Sequence, residues 1–283
     1  MLMSKLGTRR AMSPFRSLLL LSTVFALTTL ACATSPTGRF QTITYSGLQM
    51  ADMGTAAFEE MRAKMPRSQN TAQVRLVECV ANRIVGVITP ADLGQVVVRQ
   101  WEVELFEDPT ANAFALPGGK MGVNTGLLDV AATPSQLAAV MGHEVAHVLA
   151  RHGNARMSSQ RVAGGLMAGA GMIVGADSPQ KQATMAALGL GLEYGLLKPY
   201  GRGQESEADE MGLIYMARAG FDPREAVTLW QNMARSSGGQ APPEFMSTHP
   251  SNATRIAQLR AEMPEAVAEY ERVVASGGRA NCR

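Results

Sequence analysis

The stretch TPSQLAAVMGHEVAHVLARHG, residues 133–153, decides how this chain folds and what chemistry to look for in it. Thr133 suits a helix N-cap, Pro134 the first helical position, and Gln136 completes a capping box with Thr133. Gly153 offers the stop, with Arg151 and His152 in the last turn, where cations suit the helix dipole. Leu137, Val140, Met141, Val145, Val148 and Leu149 recur at three- and four-residue spacing, so one face of the helix is buried. Within it, His143-Glu144-Val145-Ala146-His147 sets two imidazoles on one helical face, where both reach one metal ion. Glu144 sits one step round, placed to act as base on water at the metal. That is a zinc pattern, and zinc lowers the pKa of a bound water to about 7.

Two histidines leave the site incomplete. The chain has four: 143, 147, 152 and 249. The HExxHxxGxxH pattern fails, because Ala150 and Gly153 stand where it needs Gly and His. His152 reads as a helix-end cation. Asp177 and Glu193 are the first acids after the motif, and neither has a second acid placed to support it. In Glu205-Ser206-Glu207-Ala208-Asp209-Glu210, Glu205 and Asp209 share a helical face. Glu205 can then bind the metal while Asp209 accepts the outer N–H of a zinc-bound histidine. Glu207 is the rival ligand, and otherwise reads as a solvated charge.

HExxH, then ESEAD at 205–209, then Ser247-Thr248-His249-Pro250 with Arg255-Ile256, resembles the HtpX-like and CAAX prenyl protease-type gluzincin metallopeptidases. Asn112-Ala113-Phe114-Ala115-Leu116-Pro117-Gly118-Gly119-Lys120 and Asn124-Thr125-Gly126-Leu127-Leu128 look like that family's strand-and-turn element. The resemblance runs from about Gly47 to Arg260. It implies a zincin-like fold and one Zn²⁺ per chain held by His143, His147 and Glu205. It implies Glu144 as catalytic base and an edge strand whose Asn112, Ala113 and Phe114 bind substrate backbone. It also sets His249 near the site, as a transient fourth ligand or a donor to the oxyanion. Arg255 is a weaker candidate, for substrate contact or a structural ion pair, and nothing chooses among the flanking Tyr194, Tyr200 and Arg202. The implied role is envelope quality control: cleaving unfolded or misassembled outer-membrane proteins, with the outer-membrane protein assembly machinery as a possible partner. A lipid-anchored chaperone with latent proteolysis and a metal-dependent cell-wall amidase are the alternatives.

Lys5, Arg9, Arg10 and Arg16 precede an apolar stretch from Ser17 to Ala31, the layout of a secretory signal. Leu30-Ala31-Cys32 resembles a lipoprotein cleavage box, with Cys32 as the acylated residue and Ala33 pointing to the outer membrane. Ordinary cleavage near Ala33 is the alternative. The periplasmic lipoprotein branch is therefore the nearest. Removing residues 1–31 takes four of 26 basic residues and no acid, leaving 22 against 24. A weakly acidic chain gives no sign of nucleic-acid binding. Cys79 and Cys282 then remain as a candidate disulfide in an oxidising periplasm.

The expected organisation is a signal peptide at 1–31, a tether at 32–46 and one domain at 47–283. Helices are expected near 48–64, 69–88, 134–152, 155–175, 180–197, 204–219, 223–235, 252–262 and 264–275. Strands are expected near Glu102–Glu107, Asn112–Ala115 and Lys120–Val123, the last two joined by a Pro-Gly-Gly turn. The fold class is α+β, predominantly helical, with a small sheet beside the HExxH helix. Val162–Ala176 and Ala183–Leu197 are apolar but short for a span of about 20 residues, and read as packed buried helices. Ser236–Pro243 is a flexible polar stretch ahead of His249.

Overall fold

The computed structural model describes residues 32–173, 200–236, 245, 249 and 253–282. An antiparallel hairpin, β1 (Cys32–Thr34) and β2 (Phe40–Thr42), leads into α1 (Gly47–Lys64), α2 (Thr71–Val85) and the short α3 (Pro90–Leu93). Strands β3 (Val98–Phe106), β4 (Ala113–Leu116) and β5 (Gly118–Asn124) form a sheet in the order β3-β5-β4. Then come α4 (Pro134–Leu149), α5 (His152–Ile173), α6 (Arg202–Arg218), α7 (Glu225–Ser236) and α8 (Ala253–Ala275). The predominantly helical α+β class holds.

Residues 32–46 are not a tether. Gln41 donates to the Ala150 carbonyl, Thr44 Oγ1 and N lie 3.0 and 2.8 Å from Ser158 Oγ, and Ser46 caps α1. Ser, Thr, Pro and Gly in this segment read as linker, but they build the turn between two three-residue strands. The sheet is mixed: β3 pairs parallel with β5, and β4 antiparallel to it. Gly118 and Gly119 both have positive φ in the tight connection, and a Cβ on Gly118 would meet the Ala51 carbonyl at 2.9 Å. Glycine is needed there twice over.

Thr133 caps α4 as expected, accepting from the Gln136 N–H, but only half of the capping box forms. The Gln136 amide stays buried and instead accepts from Ala132 N and donates to Glu225 at 2.7 Å. Thr133→Ala is expected to cost about 1 kcal/mol, read as a lower denaturant midpoint at unchanged slope. A midpoint that stays put would show that Gln136 alone holds the helix start.

The stop expected at Gly153 comes earlier. α4 ends at Leu149, Arg151 takes a left-handed φ of 61°, and His152 opens the next helix. α8 runs through Pro264, where two helices were expected, because Leu259, Ala266 and Tyr270 keep its face buried despite the lost hydrogen bond. The expected helix at 180–197 and the stretch 237–243 lie outside the described residues, and so do Asp177, Glu193 and Tyr194. Val162 is exposed, against the buried packing expected for that segment. Among the described residues no helix is long and apolar enough to cross a membrane.

The main core gathers α2, the sheet's inner face, α4, α6, α7 and α8 around Leu137, Met141, Val145, Met216 and Leu229, all at most 2% exposed. Burying each such side chain contributes roughly 1.5–3 kcal/mol. A second cluster holds Phe58, Phe106 and Phe114. α4 and α6 cross at Gly142 and Gly212, where a Cβ on either would lie 2.9 Å from the other helix's backbone. That contact brings the HExxH turn against the acidic first turns of α6.

Candidate metal centre

His143, His147, Glu205 and His249 converge, with one ligand atom from each within 4.8 Å of the others and all four side chains buried. His147 Nε2 and His143 Nε2 are 2.9 Å apart, and His143 Nε2 and His249 Nδ1 3.2 Å. Glu205 lies 3.5 Å from His143 Nε2, 3.6 Å from His147 Nε2 and 3.1 Å from His249 Nδ1. A zinc tetrahedron with bonds of about 2.0–2.1 Å puts its corners about 3.3–3.4 Å apart. Three imidazoles and a carboxylate at these spacings fit one zinc ion. Glu144 stands beside this set: its Oε1 is 3.1 Å from His249 Nε2.

Each α4 histidine offers Nε2 to the centre, so the proton must sit on Nδ1, and each Nδ1 has a partner. For His143 the partner is Asp209, 2.9 Å away, as the Glu205/Asp209 spacing predicts. For His147 it is His152, whose Nδ1 lies 2.7 Å away and whose Nε2 lies 3.0 Å from Glu207 Oε2. His152 is therefore not a helix-end cation and Glu207 not a solvated charge; they are 0% and 3% exposed. The three acids of ESEAD divide the work: Glu205 faces the metal position, Asp209 orients His143, and Glu207 orients His147 through His152.

Arg255 takes the ion-pair reading. Its guanidinium donates to Glu205 at 2.9 Å, to Asp209 at 2.6 Å and to the His249 carbonyl at 3.3 Å. It also lies 3.8 Å from the Trp230 ring centroid. Tyr200 stacks on His147 with centroids 3.9 Å apart, and burial pushes its pKa up to about 12, so it stays neutral. Burial alone would raise the Glu205 and Glu207 pKa values, but histidine partners outweigh it and hold both carboxylates ionised. Burial dominates in His147 and His152 and keeps both neutral, as the relay requires.

Ala113 and Phe114 lie on the edge strand β4, and the Asn112 carbonyl accepts from Asn124 N just ahead of it. The Phe114 side chain is committed to the core, stacked on Phe106 with centroids 6.3 Å apart, so it is not available to contact a substrate. Cys79 and Cys282 form a disulfide.

The sequence profile of Peptidase family M48 matches residues 75–263. The chain belongs to that family. Among its curated relatives, the mitochondrial metalloendopeptidase OMA1 of Schizosaccharomyces pombe is 38% identical over 69% of this chain and 54% of its own length. The OMA1 metalloendopeptidase of Danio rerio is 32% identical over 82% of this chain and 50% of its own. The β-barrel assembly-enhancing protease of Escherichia coli is 29% identical over 75% of this chain and 43% of its own. The chain thus spans about half the length of these curated relatives. Their names are not those of the HtpX-like and CAAX-type branches that the motifs resemble.

Proposed function

We propose that this chain is a zinc endopeptidase of the bacterial cell envelope, acting on unfolded or misassembled polypeptides, and that His249 closes its resting form. The observation that carries the reading is the set of three imidazoles and Glu205 with Glu144 poised outside it. A bound zinc ion supplies Lewis acidity, polarising the scissile carbonyl and making water acidic enough to react near neutral pH. Glu144 takes a proton from the attacking water and returns it to the leaving amide nitrogen. Asp209, His152 and Glu207 keep both Nε2 lone pairs aimed inward throughout. β4 is an edge strand, and strand addition there favours extended substrates over folded ones.

His249 supports the closed form, because one imidazole occupies both the fourth ligand position and the partner position of Glu144. His249→Ala is expected to loosen zinc binding while raising the initial rate of cleaving an unfolded protein about tenfold, as for a competent state populated about one part in ten. Unchanged rate and unchanged zinc affinity would end the gating idea. No cleavage by the zinc-loaded parent or this variant would end the endopeptidase reading.

The envelope setting draws on the signal-like N-terminus, exposed Cys32 as the point of acylation, and the disulfide, which suits an oxidising compartment. The Escherichia coli relative is named for enhancing β-barrel assembly, which suits misassembled β-barrel proteins as the substrates of this chain. The lipid anchor is then at the periplasmic face of the outer membrane.

A further inference from the structure

We propose that the N-terminal hairpin is a working part of the metal centre, with Thr37 and Arg39 positioning Glu207 and, through it, His152 and His147. The inference rests on His147 being a zinc ligand. Glu207 reaches the relay with Oε2, 3.0 Å from His152 Nε2. What aims that carboxylate comes from the hairpin. Arg39 Nε donates to Oε2 at 2.9 Å, and the Thr37 hydroxyl and N–H donate to Oε1 at 2.9 and 3.4 Å. Arg39 is itself held, its Nη2 donating to Gln41 Oε1 at 3.2 Å, and Gln41 is tied to the Ala150 carbonyl at the end of the metal helix.

The direction of each bond follows from the metal end. His147 must present an unprotonated Nε2, so its Nδ1–H donates to His152 Nδ1. His152 then carries its proton on Nε2 and needs an acceptor there. Glu207 is that acceptor only while both of its oxygens are pinned. Without Arg39 and Thr37 the carboxylate keeps only Ser35 of the hairpin as a partner, its direction is no longer fixed, and His152 loses the aimed acceptor that sets its tautomer. His143 needs no such help, since Asp209 reaches it directly and Arg255 holds Asp209. The hairpin therefore supports one ligand of the centre and not the other.

The test is zinc affinity of the full chain, measured by competition with a chromophoric chelator, together with the visible spectrum of the cobalt(II)-substituted protein. Glu207→Gln is expected to weaken zinc binding about 10–100-fold, the range for losing an outer partner of a metal-bound histidine. The double variant Thr37→Val/Arg39→Ala changes only the hairpin end, and is expected to weaken it about tenfold with an altered cobalt spectrum. Its kcat should fall while KM holds, and Thr37→Val/Arg39→Lys should recover most of the affinity. Phe40→Ala, on the same hairpin but 83% exposed and outside the relay, should leave zinc affinity unchanged. The proposal is overturned if the double variant binds zinc within twofold of the parent with an unaltered cobalt spectrum. It is equally overturned if Phe40→Ala weakens zinc as much. His143→Ala separates the two readings: if that variant also keeps parental zinc affinity, the metal-centre assignment itself is what failed.

Discussion

Glu144→Gln is expected to lower kcat for an unfolded polypeptide about 10²–10⁴-fold, the usual contribution of a positioned general base, with one zinc ion per chain still bound. The amide keeps the size and place of the carboxylate but cannot accept a proton. Glu144 sits on the same helix stretch as His143 and His147 yet outside their cluster with Glu205, buried and 3.1 Å from His249 Nε2. Removing its charge leaves His143, His147 and Glu205 untouched, so zinc content by metal analysis should match the parent. KM should hold, because the proposed strand pairing along β4 would use backbone that the substitution does not reach. A kcat within threefold of the parent would remove Glu144 from the chemistry.

Replacing Cys79 and Cys282 with serine is expected to lower the free energy of unfolding by about 2–4 kcal/mol. The bridge closes a loop spanning 203 residues of separation, close to the whole described chain, so it removes much freedom from the unfolded state. The tail it holds is also tied by backbone. Ala280 N donates to the Gly220 carbonyl, and Arg83 Nη1 donates to the carbonyls of Ala219 and Gly278. Guanidinium unfolding of parent and variant, each with and without reductant, reads the difference. If reductant shifts the parent by less than about 0.5 kcal/mol, the tail's own hydrogen bonds suffice and the loop-closure account fails.

The metal helix was legible because it announces itself twice, through Thr133 and Pro134 at its start and a 3.6-residue apolar period along it. Glu205 and Asp209 were legible for a related reason: a ligand and its supporting acid must share a face. His152 and Glu207 were not. The place of His152 depends on Arg151 adopting a left-handed conformation, which spacing along a continuous helix does not anticipate. Glu207 does point away from the metal, as two-residue spacing from Glu205 requires. The side it faces is covered by the hairpin, and a polar segment with three-residue strands carries too little periodicity to be read as structure. The expected break at Pro264 failed because tertiary burial outweighs one lost helical hydrogen bond.

Gly142 and Gly212 give the fold one more property. The spacing between the histidine pair and Glu205 is set where backbone rests on backbone, with no side chain between. Around that point the core is filled by Met141, Met216, Leu213 and their neighbours, whose volumes can drift by a methylene at modest cost. Such drift moves flexible side chains, while the hard stop between the two helices stays where it is. The centre is thereby insulated from variation in its own surroundings: the residues packed around it are free to diverge, and the tolerance of the metal geometry is concentrated in two positions that admit no side chain at all.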